Sequence, residues 1–190
     1  MKKKALLIIA AILFITNANA QKTVNFFGTN WRIGPKLGYS AYGYIADGKQ
    51  HTFYDAFNAG FIACDKEDGV ITELQLSNLT NRDYKETKIK LLSCFLGVDS
   101  LNDQTAGLFF RYGFSLDFLL SANSGSTNLS PQWNKVLLCA SFGGGYEGKH
   151  LGFLLNIKSN FLTNVIKKNY RTGTKPDFLP SIGTSIYYLF

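Results

Sequence analysis

The sequence predicts an all-β fold, an eight-stranded antiparallel up-and-down transmembrane β-barrel. Three observations carry that expectation. Beyond residue 20 the chain resolves into eight segments of roughly ten to fifteen residues, each alternating with period two. One face of each segment is apolar and bulky, while the other mixes Gly, Ser and Asn with charges of both signs. A soluble barrel turns its large apolar residues inward, so this is the inside-out pattern of a strand wall facing lipid. The connectors between segments also alternate in length, as they do when one rim carries turns and the other carries loops.

The first twenty residues stand apart. MKKKALLIIAAILFITNANA opens with Lys2, Lys3 and Lys4, runs apolar from Ala5 to Ile15 and closes on Ala18-Asn19-Ala20. A basic start, an apolar stretch too short to span a bilayer as a helix and an A-x-A ending read as a cleaved signal peptide. The mature chain is expected to start at Gln21. Because residue 21 is not Cys, a lipid-modified N-terminus is not expected. The organisation is therefore a signal peptide over 1–20 and one outer-membrane β-barrel domain over 21–190. Three of the 20 basic residues lie in the leader, which leaves 17 against 13 acidic residues, a net charge of +4. That excess and an exported location argue against nucleic acid as a partner. Charged residues make up only 17% and aromatics 15%, with 16 Phe and 10 Tyr, more rings than a soluble core of this size needs.

Taken in order, WRIGPKLGYSAYG sets Ile33, Pro35, Leu37, Tyr39 and Ala41 against Arg32, Lys36, Gly38 and Ser40. FNAGFIACD sets Phe57, Ala59, Phe61 and Ala63 against Asn58, Gly60 and Cys64. ITELQLSN sets Thr72, Leu74 and Leu76 against Glu73, Gln75 and Ser77. In KIKLLSCFLG the lipid face is assigned to Ile89, Leu91 and Phe95, and the lumen face to Lys88, Lys90 and Cys94. FFRYGFSLDFLL is the clearest, with six large apolar residues from Phe110 to Leu120 against Arg111, Gly113, Ser115 and Asp117. KVLLCASFGGGYE sets Val136, Leu138, Ala140, Phe142 and Tyr146 against Lys135, Cys139, Ser141, Gly143, Gly145 and Glu147. LGFLLNIKSNF sets Leu151, Phe153, Leu155, Ile157 and Phe161 against Asn156, Lys158 and Asn160. The last segment, SIGTSIYYLF, sets Ile182, Thr184, Ile186, Tyr188 and Phe190 against Ser181, Gly183, Ser185, Tyr187 and Leu189.

With the N-terminus periplasmic, the outer connectors are ADGKQHT, NLTNRDYKE, SANSGSTNLSPQW and TNVIKKNYRTGTKPDFLP; the inner ones are KEDG, VDSLNDQTAG and EGKH. Eight strands return both termini to the periplasmic rim. A closed barrel leaves no edge, so the last strand is expected to pair with the first and to be ordered to its end. Its lipid-face residues Ile186, Tyr188 and Phe190 resemble the C-terminal β-signal of bacterial outer-membrane proteins, which implies the barrel-assembly machinery as a partner during biogenesis. RIGPKLGYS after a leader ending ANA-Q, FFRYGFSLDFLLSA, SFGGGYEG and the closing Phe190 together resemble the outer-membrane β-barrel domain family of Bacteroidetes, the PorT-like group. The third and fourth segments depart from it in being poor in aromatics. The resemblance implies the fold and an outer-membrane location, and no defined activity.

Several motifs read as structure rather than chemistry. GGGYEGKH, Gly143 to His150, nearly spells a phosphate-binding loop, but His150 replaces the Mg²⁺-ligating hydroxyl and no helix is expected to follow. Gly28-Thr29-Asn30-Trp31 is similar to the G-x-W opening of lipocalins with one residue too many, which keeps a soluble periplasmic binder of apolar ligands as an alternative. Some eight-stranded barrels modify lipid A with a His and a Ser on the outer wall. His51 is the candidate here, with no Ser assigned beside it, and His150 lies on the opposite rim. No enzyme, cofactor or metal site is expected. The lumen set, Arg32, Lys36, Glu73, Lys88, Lys90, Arg111, Asp117, Glu147 and Lys158, is expected to pair and close an interior that eight strands leave just wide enough for side chains. Cys64, Cys94 and Cys139 all fall on the assigned lumen parity. Cys64 and Cys94 would sit a strand apart, on the order of 9 Å, beyond disulfide reach, so free thiols are expected. Lys167, Lys168, Arg171 and Lys175 make the fourth outer loop basic, able to meet lipopolysaccharide phosphates, and Asp99-Ser100-Leu101 is similar to a Bacteroidetes O-glycosylation tripeptide. The expected role is structural or binding, with outer loops meeting lipopolysaccharide, a surface ligand or a secretion partner in a Gram-negative outer membrane, and not an open porin.

Overall fold

A computed structural model describes residues 24–26, 29–47, 49–65, 67–100, 106–170 and 176–190. Eight antiparallel strands form the wall: β1 (Thr29–Ala46), β2 (Lys49–Asp65), β3 (Val70–Asn81), β4 (Thr87–Asp99), β5 (Gly107–Ser124), β6 (Val136–Glu147), β7 (Leu151–Asn160) and β8 (Ser181–Tyr188). Each pairs with its sequence neighbours, and β8 also pairs with β1 from Ser181↔Tyr42 to Tyr187↔Lys36. The ring is therefore closed, with every wall strand bonded on both sides. Two short pieces join it: Val24–Phe26 folds back on the start of β1, and Thr127–Asn128 on the end of β5.

The apolar faces point out. Leu37, Phe57, Phe61, Leu74, Phe110, Phe114, Phe142, Phe153, Ile157 and Ile186 are all exposed on the wall. Rings stack across strands there, Phe110 with Phe142 at 6.3 Å and Phe114 with Phe161 at 5.8 Å. A continuous apolar exterior on a closed sheet is stable only in lipid, so the soluble lipocalin-like alternative has its faces the wrong way round. No helix among the described residues is long and apolar enough to cross a membrane; the crossing is made by strands.

Three features differ from the sequence expectation. The faces of β4 are reversed: Ile89, Leu91, Ser93 and Phe95 are buried inside, whereas Lys88, Lys90, Cys94 and Leu96 are exposed outside. The reason is height along the strand. Outward on β4, Leu92, Cys94, Leu96 and Val98 are bracketed by Lys90 and Ser100. Ten residues rising ~3.4 Å each at a tilt of ~40° span roughly 26 Å, the height of a membrane band. The lysines therefore sit beyond the apolar band of the membrane, where charge is free to face outward. Inward, Phe95 covers the facing glycines Gly97 and Gly113, where a β-carbon would lie 2.4 and 2.9 Å from its Cζ.

The first outer connection is also tighter than ADGKQHT implied. β1 runs through Ala46 and β2 restarts at Lys49, with Asp47 taking the left-handed conformation (φ 51°) that such a hairpin turn demands. Finally, the lumen is not uniformly polar. One buried apolar cluster fills its loop-side half and includes Tyr42, Leu79, Ile89, Leu91, Trp133 and Leu179. A second, with Ile62, Ile71, Phe95, Phe109, Leu154 and Leu189, lies toward the termini.

Candidate functional site

Six of the eight wall strands aim charges into the lumen, most of them in its terminus-side half, where they are largely buried. Arg111 on β5 is 3% exposed and bonds Glu73 of β3 at 2.9 Å and Asp99 of β4 at 3.0 Å. Its guanidinium lies 4.9 Å from the Phe109 ring centroid and 5.4 Å from that of Tyr187. Lys36 of β1 meets the other Glu73 oxygen at 2.5 Å. The Tyr187 hydroxyl of β8 donates to Glu147 of β6 at 2.7 Å, and Arg32 approaches the same carboxylate at 3.7 Å while donating to the Lys149 carbonyl. One level further in, Lys158 of β7 bonds Asp117 at 2.7 Å and Ser93 at 3.2 Å. Four cations face four carboxylates, so the charges within this network balance. A β-carbon on Gly152 would lie 2.1 Å from the Tyr187 ring, so only glycine leaves room for that tyrosine to swing across.

Seven of the nine charges assigned to the lumen from sequence thus converge: Arg32, Lys36, Glu73, Arg111, Asp117, Glu147 and Lys158. Lys88 and Lys90 do not, because β4 turns them outward. Asp99 and Tyr187 join the network although neither is among those nine: the sequence reads Asp99 as part of an inner-connector tripeptide and Tyr187 by lumen parity alone. The signal for Asp99 was its shared parity with Ser93 and Gly97; Tyr187 was hidden because its hydroxyl does the work while its ring reads as apolar.

Between the network and the loop-side cluster lies a cavity of about 40 Å³, lined in part by Asn58, Ser93, Asn156 and Ser185. That volume admits a few water molecules. Above it the third and fourth outer loops form a roof. Trp133 bridges Ile166, Asn134 donates its backbone N–H to Val165 O at 2.9 Å, and Lys167 N donates to Gln132 O at 2.8 Å. The Asp177 carboxylate, buried, receives the Ile166 N–H at 2.7 Å and the Tyr44 hydroxyl at 3.3 Å. Trp133, Val165 and Leu179 close the apolar cluster from outside.

Other sequence candidates are placed as follows. Gly143 to Glu147 belong to β6, and Gly148–His150 is a three-residue turn into β7, so GGGYEGKH is a hairpin and not a phosphate loop. His150 stacks on Tyr188 at 5.5 Å and its Nδ1 meets Leu189 O at 2.9 Å. Tyr188 packs edge-on to Phe190 at 5.2 Å, and Phe190 N donates to Ile33 O at 3.2 Å, so the chain is held to its last residue. Cys64, Cys94 and Cys139 form no disulfide, but Cys94 faces outward and not into the lumen. Lys167 donates its Nζ to Pro131 O at 2.7 Å, whereas Lys168 is exposed. The side chain of His51, the leader with Gln21, Leu101, Arg171 and Lys175 lie outside the described residues. Among the described residues, no three His, Cys, Asp or Glu side chains gather as metal ligands.

No family model matches the sequence, and no curated protein is detectably similar to it. Solved structures are. This is the fold of the small eight-stranded outer-membrane barrels. Neisserial surface protein A superposes with a TM-score of 0.56 at 9% identity, over 83% of this chain and 97% of that one. Ail, the attachment invasion locus protein of Yersinia pestis, superposes with a TM-score of 0.52 at 13% identity over 84% and 99%, in a complex with the heparin analogue sucrose octasulfate. The same protein without that ligand gives 0.51.

Proposed function

We propose that the chain is an exported, integral outer-membrane protein whose sealed barrel holds a roof of outer loops at the cell surface, in a structural or binding role rather than as a porin or an enzyme. The observation that carries this reading is the filled lumen. Among the described residues, buried ion pairs with a small apolar cluster occupy one half and an apolar plug joined to the loops occupies the other, which supports a sealed rather than a conducting barrel. The neighbours support the same class of role: one is a surface protein, and another, an attachment protein, is seen with a polyanionic heparin analogue. For this chain the corresponding partners are outer-membrane lipid and lipopolysaccharide, and a surface or secretion partner met by the third and fourth loops. Membership of the PorT-like group, a cleaved leader ending at Ala20, and recognition of Ile186, Tyr188 and Phe190 by the barrel-assembly machinery belong to the same reading.

The test is an unboiled against boiled SDS gel of protein from the outer-membrane fraction, followed by planar-bilayer recording. A faster-running unboiled band with no steady conductance is the expected result. A soluble periplasmic protein that shows no shift, or a stable open current, would overturn it.

A further inference from the structure

Lys88 and Lys90 have no role in the lumen, and their position on the outer wall points to a second surface. Both are exposed on β4. Lys90 lies between Asn78 of β3 and Ser121 of β5, and Lys88 between Thr80 and Asn123, each in direct register. On the same three strands the next residues toward the termini are Leu76, Leu92 and Leu120, where the apolar wall begins. The six residues thus form a polar step on the lipid-facing side of the barrel, at the rim that carries the loops. Neither lysine makes an ion pair among the described residues. The carboxylate on the Lys88 row, Asp55, is taken by Arg82 through three hydrogen bonds of 2.7 to 3.0 Å. The Glu86 carboxylate lies over Gly125, where a β-carbon would meet it at 3.0 Å.

Resting on the membrane reading above, we propose that Lys88 and Lys90, with Asn78 and Asn123 as flanking donors, bind the phosphorylated headgroup of a lipid in the loop-side leaflet. Charge and depth select that partner. Two ammonium groups on flexible stems can lie along the apolar wall and lift their charges to the headgroup plane. A lipid whose acyl chains lie against Leu76, Leu92 and Leu120 presents its phosphate at that level. Amide and hydroxyl groups on both neighbouring strands add hydrogen bonds for a phosphate oxygen. A soluble anion would gain nothing from the apolar wall directly beneath.

The experiment uses full-length folded protein in a zwitterionic detergent, titrated with bisphosphorylated lipid A and, separately, with the same glycolipid stripped of its phosphates. Bound lipid is counted by native mass spectrometry. Wild type is expected to retain the phosphorylated form, and Lys88→Gln/Lys90→Gln to lose roughly tenfold or more of that affinity. Lys168→Gln, on the roof, is expected to keep it. Equal binding of both glycolipids, or equal binding by wild type and the double variant, overturns the proposal. So does a Lys88- and Lys90-dependent affinity for sucrose octasulfate with none for lipid A, which would make the patch a site for soluble polyanions. The unboiled gel shift is read on every sample. Its loss in wild type would overturn the membrane reading itself, whereas its retention with no lipid preference overturns only this site.

Discussion

The two halves of the lumen are closed by different physics. Toward the termini, Arg111, Glu73, Asp99, Lys36, Glu147 and Tyr187, set beside a small apolar cluster that includes Phe95 and Phe109, tie β1, β3, β4, β5, β6 and β8 together through directional bonds. Toward the loops, Tyr42, Leu79, Leu91, Leu137 and Trp133 fill space without preferred geometry. The ionic half fixes which strand lies opposite which, because each charge has partners in only one register. The apolar half tolerates small shifts, and so suits a place where loops dock on a wall. A buried ionic network gains little over a well-packed apolar core when intact, yet losing one member strands its partners without solvent. The halves should therefore answer mutation differently.

Arg111→Leu is the largest expected effect. It removes the guanidinium from both Asp99 and Glu73, and breaking such a buried pair costs about 3–5 kcal/mol. Urea titration of the folded band, read as loss of the fast-migrating form, should show a midpoint far below wild type. A shift of less than about 1 kcal/mol would mean that the network is wet or dispensable, and the contrast between the halves would collapse.

Trp133→Ala comes next and probes the other half. Replacing a buried Trp opens a cavity that costs about 3–5 kcal/mol in a rigid core. Here the residue sits on a loop that can lift without unfolding the wall, so the cost is expected to appear as local opening. Limited proteolysis should cut the third and fourth loops at least several-fold faster, while the urea midpoint of the barrel moves less than in Arg111→Leu. Loops that stay protected would show that hydrogen bonds, those to the Asp177 carboxylate and those of Asn160, which donates to Asp177 O at 3.1 Å and accepts from Leu179 N at 2.6 Å, hold the roof rather than the apolar cluster.

The ease with which each region could be read from sequence follows the same divide. β5 was legible because Phe110 to Leu120 and Arg111 to Asp117 differ sharply, and both faces lie within the membrane band. β4 was not, because its two lysines were the strongest polar signal and lie just beyond that band. Restricting the pattern to the nine residues between Lys90 and Ser100 would have assigned it correctly: Leu92, Cys94, Leu96 and Val98 are uniformly apolar, whereas on the other face Ser93, Gly97 and Asp99 interrupt Leu91 and Phe95. The charges of the network were recognisable as lumen residues by parity alone, but their pairing was not, since which strands face one another across the barrel depends on closure and stagger. The roof was illegible for a related reason. Trp133 meets Ile166 across more than thirty residues of chain, and nothing local to either loop encodes that contact.

Cys94 offers the finest test of this difference, because β4 alone was assigned opposite faces by sequence and by structure. It feeds Leu91 to the apolar half and Asp99 to the ionic half, and both roles fail if its parity is wrong. A spin label on Cys94, in a chain carrying Cys64→Ser and Cys139→Ser, should leave the urea midpoint nearly unchanged relative to that background, since the site faces lipid and fills no core space. Its relaxation in a bilayer should be enhanced by oxygen, which concentrates in lipid, and hardly at all by a water-soluble nickel chelate. The reverse preference, or an immobilised label with a large stability loss, would put Cys94 inside. Lys88 and Lys90 would then return to the lumen, Asp99 would lose its place beside Arg111, and the charges within the network would no longer balance.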